Sequence, residues 1–206
     1  MIAIIDYGMG NVRSLKNAFE YLGEDVVVTN EETQIKAADR LVLPGVGAFG
    51  DAMEAIRKKN LYDVLKEQAK VTRKPVLGIC LGMQLFATRS FEHGCHAGLG
   101  WINADVRRID IKRPLKVPHV GWNNLHFPTD DWLFAGIKSE EANFYFVHSY
   151  HMSCSNPNDL LATTDYAMSI AAVVRSDNLL AIQFHPEKSQ DNGLQILENW
   201  VNWRTA

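Results

Sequence analysis

The 206-residue chain predicts an α/β fold: an open, mostly parallel sheet flanked by helices, with strand-rich additions. Three features predict it. In the first half, short apolar runs alternate with amphipathic helical stretches. The run just before Cys80, Val76 to Ile79, has no polar side chain, as a strand covered on both faces requires. In the second half, proline, glycine and asparagine divide the chain into successive short strands.

The elements follow in order. "MIAIID" opens as an apolar strand, Ile2 to Asp6, and "YGMGN" is a tight glycine turn. "VRSLKNAFEYLG" reads as a helix with Val12, Leu15, Phe19 and Leu22 on one face and Gly23 as its stop. "DVVVT" is a second strand, and "DRLVLPG" a third that ends at Pro44. "DAMEAIRKKNLYDVLKEQ" reads as one helix, with Asp51 suited to its start. "KPVLGIC" is the fourth strand. Crossovers between such strands are expected to be right-handed. "GWINADVRRIDI", "FYFVHSY", "LLATT", "IAAVV" and "LLAIQF" are the later strands. "NGLQILENWVNW" closes the chain as a helix with Leu194, Leu197, Trp200 and Val201 on one side. No composition break marks a second domain, so 1–206 is expected to be a single domain.

Composition excludes several classes. With 47% hydrophobic and 22% charged residues the balance is that of a soluble globular protein. The formal charge is -3, and the densest basic tract, Arg107 to Lys116, alternates with apolar residues. It reads as a strand running into a solvated turn, so no nucleic-acid partner is expected. No stretch approaches the roughly 18 apolar residues of a membrane span, so no membrane partner is expected either. The three cysteines, at 80, 95 and 154, are odd in number and lack framework spacing. A cytoplasmic protein with reduced thiols is expected. The histidine pair 148 and 151 lies in a strand-like segment, where positions three apart face opposite ways. His93, His96 and His119 add no recognisable ligand spacing, so neither a metal nor a cofactor is expected.

The chemistry candidates begin with "VLGICLGMQLF". Cys80 sits where a buried strand meets a helix, between Gly78 and Gly82. One reading is an inert core cysteine. The other is a nucleophile lifted out of the sheet by a strand-to-helix turn, its thiolate favoured by the helix start. Gly82 is expected to make the sharp turn and Gly78 to allow close packing. His185, just past an apolar run, sits at a sheet edge, and Glu187 is two residues on across Pro186. A base and its orienting carboxylate fit this pair, as does a surface histidine beside a solvated glutamate. "LPGVGAFG", Leu43 to Gly50, lacks the spacing of a dinucleotide or phosphate loop. It is a plain turn, or a loop whose N–H groups face a developing oxyanion together with Leu81 N–H. Trp122, in a Gly-Trp-Asn turn, is the tryptophan expected at a surface with a role.

"GICLGMQ", "FHPEKS" and "LPGVG" together resemble the class I glutamine amidotransferases, which carry a Cys-His-Glu triad. "DYGMGN", "LPGVGAFGDAM", "PHVGWN", "FYFVHSY" and "QFHPEKSQ" narrow the resemblance to the glutaminase subunits of imidazole glycerol phosphate synthases. The motifs keep that family's order from Asp6 to Gln190. The resemblance implies Cys80 as nucleophile, His185 as base and Glu187 as its partner. It implies an oxyanion hole at Gly45-Val46-Gly47 and Leu81, in a loop not fully formed at rest. Gln84, Glu92, Ser149 and Tyr150 would hold L-glutamine. Asn11, His119, Trp122, Asn123 and Lys188 would lie near a cyclase subunit, a (β/α)₈ barrel that forms a heterodimer with this chain and receives its ammonia. A paralogous glutaminase that supplies a surface-sugar-modifying synthetase shares the triad and much of the frame.

Overall fold

In the computed structural model, which describes residues 1–111 and 115–204, the chain runs β1 (Ile2–Ile5), α1 (Val12–Tyr21), β2 (Val26–Thr29), α2 (Glu32–Ala37), β3 (Arg40–Leu43), α3 (Phe49–Lys58), α4 (Tyr62–Lys66), β4 (Val76–Ile79) and α5 (Leu81–Leu85). It continues through β5 (Ala87–Ser90), β6 (His96–Ala97), β7 (Ile102–Arg108), β8 (His119–Asn124), β9 (Asn143–His148), β10 (Tyr150–Cys154), β11 (Leu160–Asp165), β12 (Ser169–Ser176), β13 (Leu179–Ile182) and α6 (Gln190–Asn202). A seven-stranded sheet has the order β11-β12-β13-β4-β3-β1-β2. Its strands from β13 to β2 pair in parallel, and β11 and β12 add an antiparallel edge. A four-stranded sheet (β10-β7-β5-β6) and the β8–β9 hairpin are the strand-rich additions.

The period of two along each strand divides the core into two layers. Ala3 and Ile5 of β1 face the layer built by Ile35, Phe49, Met53, Ile56 and Leu65 from α2, α3 and α4. Ile2 and Ile4 face the opposite layer, with Leu15 and Phe19 of α1 and Ile196, Leu197 and Trp200 of α6. All four residues of β1, β4 and β13 are buried. That is why those runs carry no polar side chain.

Several expectations change in detail. The segment read as one helix from Asp51 is three pieces. α3 starts at Phe49, Asn60 takes φ +57 after its end, and α4 runs into a π-helical turn, Glu67–Val71. A left-handed asparagine is a helix stop, and Leu61 restarts the next element against the core. "FYFVHSY" is not one strand: β9 ends at His148 and β10 begins at Tyr150, in a different sheet. α2, β5, β6 and β8 were not expected. β7 ends at Arg108, so the basic tract does leave a strand there. The turn expected beyond it includes Lys112, Arg113 and Pro114, which lie outside the described residues.

The sharp turn after β4 falls on Cys80 itself, at φ 54 and ψ -108, and not on Gly82. Gly82 has another task. A Cβ there would overlap the Leu43 carbonyl oxygen at the end of β3. Gly78 is also tight, with a Cβ meeting Gly82 O and Phe86 Cζ at 2.8 Å. We expect Gly82→Ala to lower folding stability by about 1–3 kcal/mol, the scale of overpacking. The check is the midpoint of a urea titration. An unchanged midpoint would show that α5 can move off β3 without cost.

Candidate active site

Cys80 closes β4 and opens α5. Its N–H still donates to Ile182 O at 2.8 Å, so the β4–β13 ladder holds Cys80 until the turn. A non-glycine residue at positive φ costs about 1–3 kcal/mol and persists only when its surroundings fix it. The fixing groups are that ladder and the Gly82 approach. The Cys80 side chain borders a cavity of about 350 Å³. Val46, Gly47, Leu81, Gln84, Glu92, Ser149, Tyr150 and His185 line the same cavity, with Pro118, Val147 and His148. The local sequence left Cys80 between an inert and a reactive residue. The structure puts it on a cavity wall with a histidine.

His185 follows β13 and Glu187 lies in the 3₁₀ turn Pro186–Lys188. His185 Nδ1 is 2.9 Å from Glu187 Oε1, and the two side chains are 3% and 1% exposed. Such burial excludes the solvated pair. A carboxylate only accepts, so Nδ1 carries a proton and Nε2 is directed elsewhere. Nε2 has no hydrogen-bond partner among the described residues. Burial lowers the imidazole pKa, but Cys80 and Glu187 outweigh burial and push it up to about 9. Asn11 Nδ2 also donates to Glu187 Oε1, at 3.5 Å. The loop is pinned from behind: Ser189 Oγ donates to His185 O at 2.6 Å and accepts from Tyr145 N–H. His185 N–H donates to Tyr145 O of β9.

The glycine loop is closed onto α5. Leu81 N–H donates to Gly45 O at 3.3 Å, so a carbonyl occupies one of the two expected oxyanion donors. Gly45 admits no side chain, because a Cβ would sit 2.5 Å from Tyr7 Oη. Gly47 takes φ +103, and Val46 is 43% exposed. Glu92 Oε2 accepts the Phe49 N–H at 2.7 Å, at the start of α3.

The expected substrate residues are more engaged than their sequence suggests. Gln84 Nε2 donates to Tyr150 O and to Gln183 Oε1, both at 2.9 Å. Only its Oε1 is left unpartnered among the described residues. Gln183, fully buried, donates from Nε2 to Cys80 Sγ at 3.7 Å. Sequence reasoning missed Gln183, which lies just past the end of β13 and two residues before His185. It also missed His148 as part of the cavity. Of the residues expected near a partner, Trp122 is 46% exposed and meets Tyr145 edge-on, with Lys188 Nζ over the same tyrosine ring. His119 is 3% exposed, covered by stacking with Tyr166 and Phe146, and meets Asn123 Nδ2 at its Nε2.

Among the described residues no cluster of three or more His, Cys, Asp or Glu could hold a metal, and no helix is long and apolar enough to cross a membrane. The three cysteines are free.

A family model described as glutamine amidotransferase class-I matches residues 3–203. The chain is 46% identical over 207 residues to the imidazole glycerol phosphate synthase subunit HisH 2 of Nitrobacter winogradskyi, covering 98% of each chain. It is 48% identical to subunit HisH of the same synthase from Sulfurimonas denitrificans, covering 99% of each. Among solved structures, PurLQS of Thermotoga maritima aligns with a TM-score of 0.71 at 18% identity, over 98% of this chain and 97% of that one. The glutaminase domain of Trypanosoma brucei CTPS aligns at 0.59 and 18% identity, over 100% and 95%. At such identity these two bear on the fold alone, and they agree with the parallel sheet and its flanking helices.

Burial holds His119 down at about 4 and His148 at about 3, and lowers His151 as well. A histidine with a depressed native pKa binds more protons once unfolded. Its stabilisation is therefore complete above about 6.5 and is lost as pH falls toward the native value. His185, shifted upward, acts the opposite way: its stabilisation is complete below about 6.5 and is lost as pH rises toward about 9, so acidification from pH 7 returns up to about 1 kcal/mol of it. Acidification from pH 7 to 5 is expected to cost about 1–2 kcal/mol for each of His119 and His148. Thermal melts across that range check the sign, and a flat Tm would contradict neutral buried rings.

Proposed function

The chain belongs to the class-I glutamine amidotransferases and, within them, to the HisH glutaminase subunits of imidazole glycerol phosphate synthase, and from that membership we propose how its site works. It is a glutaminase of histidine biosynthesis that hydrolyses L-glutamine to glutamate and ammonia. The whole of 1–206 serves as one amidotransferase domain. Cys80 is the nucleophile, His185 the acid and base, and Glu187 the group that fixes the imidazole. The observation that carries this reading is the buried 2.9 Å His185–Glu187 contact, which leaves Nε2 unpartnered in a residue that lines the cavity Cys80 borders.

The steps follow from those atoms. With its proton on His185, Cys80 attacks the side-chain amide carbon of glutamine, and the carbonyl becomes an oxyanion. His185 Nε2–H protonates the leaving nitrogen, ammonia departs, and a thioester remains. His185, now neutral, takes a proton from water as the water attacks the thioester. Glutamate leaves and the Cys80–His185 pair is restored. Glu187 holds Nδ1–H through both steps, so the same nitrogen, Nε2, serves as acid and then as base.

The oxyanion needs the N–H of Leu81 and one from the Gly45-Val46-Gly47 loop. Each donor contributes roughly 3 kcal/mol in such a hole. With Gly45 O on Leu81 N–H the hole is closed at rest, and turning the Gly45–Val46 peptide opens it. The partner is the cyclase subunit, a (β/α)₈ barrel in a heterodimer with this chain, docked over Trp122, Asn123, Asn11 and Lys188 and receiving the ammonia. Gln84, Glu92, Ser149 and Tyr150 hold the substrate. Val46, 43% exposed, supports this reading, since much of the residue that has to move is open to a partner.

Cys80→Ala is expected to abolish glutamine hydrolysis while leaving folding and cyclase binding intact. Hydrolysis surviving in that variant would sink the mechanism. The wild-type rate is expected to rise when the cyclase and its nucleotide ligand are added, and a rate indifferent to both would remove the closed-hole argument. With the wild-type complex, the rate should fall on an alkaline limb as pH rises through about 9, where His185 loses the proton the ammonia needs. Glu187→Gln should cut the rate by about 100-fold or more and move that limb to lower pH. A limb that stays in place would mean that Glu187 does not hold the imidazolium.

A further inference from the structure

Behind the cavity wall lies a hydrogen-bonded chain that the mechanism above does not use. His148 ends β9 and His119 begins β8, directly opposite in register. His119 Nδ1 and His148 Nε2 are 2.9 Å apart, and His148 Nδ1 is 2.9 Å from Tyr150 O. On the outer side Asn123 Nδ2 is 3.2 Å from His119 Nε2. Both rings are buried, at 3% and 6% exposure; His119 stacks on Phe146 and His148 meets the same ring at a tilt.

The partners dictate every proton in this chain. Tyr150 O can only accept, so His148 carries its proton on Nδ1. A neutral His148 then accepts at Nε2, so His119 must donate from Nδ1. That leaves His119 Nε2 as an acceptor, which meets the Asn123 amide. The amide orientation is fixed in turn, because Asn123 Oδ1 accepts Asn124 N–H and its Nδ2 also donates to Asp165 O. Burial keeps both rings neutral, and the titratable groups acting on His148 are His119, His151 and His185, all of which oppose further positive charge. Neutral rings with one tautomer each form a directed relay rather than a proton store.

The relay ends on a carbonyl that matters to the cavity. Tyr150 O receives two donors, His148 Nδ1–H and Gln84 Nε2–H. Gln84 gives its other hydrogen to Gln183, whose own amide reaches Cys80 Sγ. With both hydrogens engaged inward, Gln84 Oε1 is the polar atom it can offer to substrate. We propose that His119 and His148 are positioning residues of the glutamine pocket, which fix the Tyr150 carbonyl and so hold Gln84 with Oε1 as the acceptor for substrate. This rests on the glutaminase reading of the cavity.

The test separates the two. In a Cys80→Ala background, L-glutamine binding is measured by calorimetry with and without His119→Phe and His119→Asn. Phenylalanine keeps the stacking on Phe146 and Tyr166 but removes the donor to His148. Asparagine restores a donor near the Nδ1 position. The expected result is about tenfold weaker binding for His119→Phe, the scale of one orphaned buried acceptor, and recovery toward the parent for His119→Asn. Equal affinity in His119→Phe and the parent would overturn the proposal, as would an asparagine variant no better than phenylalanine. No glutamine binding by the Cys80→Ala parent would overturn the glutaminase reading itself. Nitrogen-15 NMR of the unsubstituted protein tests the relay without any variant. His119 and His148 should both show the Nδ1–H tautomer and no titration between pH 8 and 5. An Nε2–H signal from either ring would overturn the proposal.

Discussion

The contact on which the site depends is backbone against backbone, where the first turn of α5 presses on the end of β3. β3 and β4 are parallel neighbours, so their C-terminal ends lie side by side. The chain leaving β4 must turn into α5 without colliding with the chain leaving β3. Glycine at 82 permits it, since a Cβ would overlap Leu43 O. Glycine at 45 permits the matching approach from the other side. The turn that results puts Cys80 at φ 54, a conformation a cysteine does not adopt unforced. The same closeness brings Gly45 O to Leu81 N–H. Strain at Cys80 and loop closure are thus two consequences of one packing constraint.

The second wall of the cavity is assembled from the opposite side of the chain. β13 runs parallel to β4 and delivers His185 beside Cys80, with Gln183 one side-chain period earlier. The β8–β9 hairpin is then tied to the His185 loop by Tyr145, through its carbonyl and its N–H. Its far end carries His148 and, after one residue, Tyr150. The hairpin therefore bridges an exposed aromatic face at Trp122 and the cavity edge at Tyr150. Movement at one end cannot leave the other unaffected unless the hairpin bends, and six paired residues resist bending.

Much of this was legible because it rests on local chemistry. The unbroken apolar runs of β1, β4 and β13 announce burial on both faces, and burial is what they show. Cys80, His185 and the glycine loop stand at strand ends, where the change from apolar run to glycine or proline is visible along the chain. α2 was not legible, since six residues with one buried side chain carry little periodic signal. β5 and β8 mix polar and apolar residues because each belongs to a small sheet, so their patterns resemble loops. The break at Asn60 depends on one left-handed residue that is otherwise an ordinary helix surface position. The burial of His119 was not legible for a related reason. The histidine sits beside exposed Val120 in an alternating strand, and its burial comes from Tyr166, 47 positions away in the chain and invisible to any local pattern.

In the proposed mechanism the closed loop makes Val46 a point of control. The bond that occupies Leu81 N–H is a single backbone contact at 3.3 Å, a class worth about 0.5–1.5 kcal/mol net. Shifting a two-state equilibrium from 1:99 to 99:1 takes roughly 5.5 kcal/mol of differential binding. Fully burying a large apolar side chain gains about 1.5–3 kcal/mol, so Val46 and Trp122, each a little under half exposed, supply less than half of that amount and the rest of the docking surface the remainder. The proposed hole contributes roughly 3 kcal/mol per donor once formed. In the proposed mechanism, losing the Leu81 donor therefore costs catalysis more than the single contact that occupies it is worth. A larger closure energy would leave the partner unable to open the loop, and a smaller one would let it open unbidden.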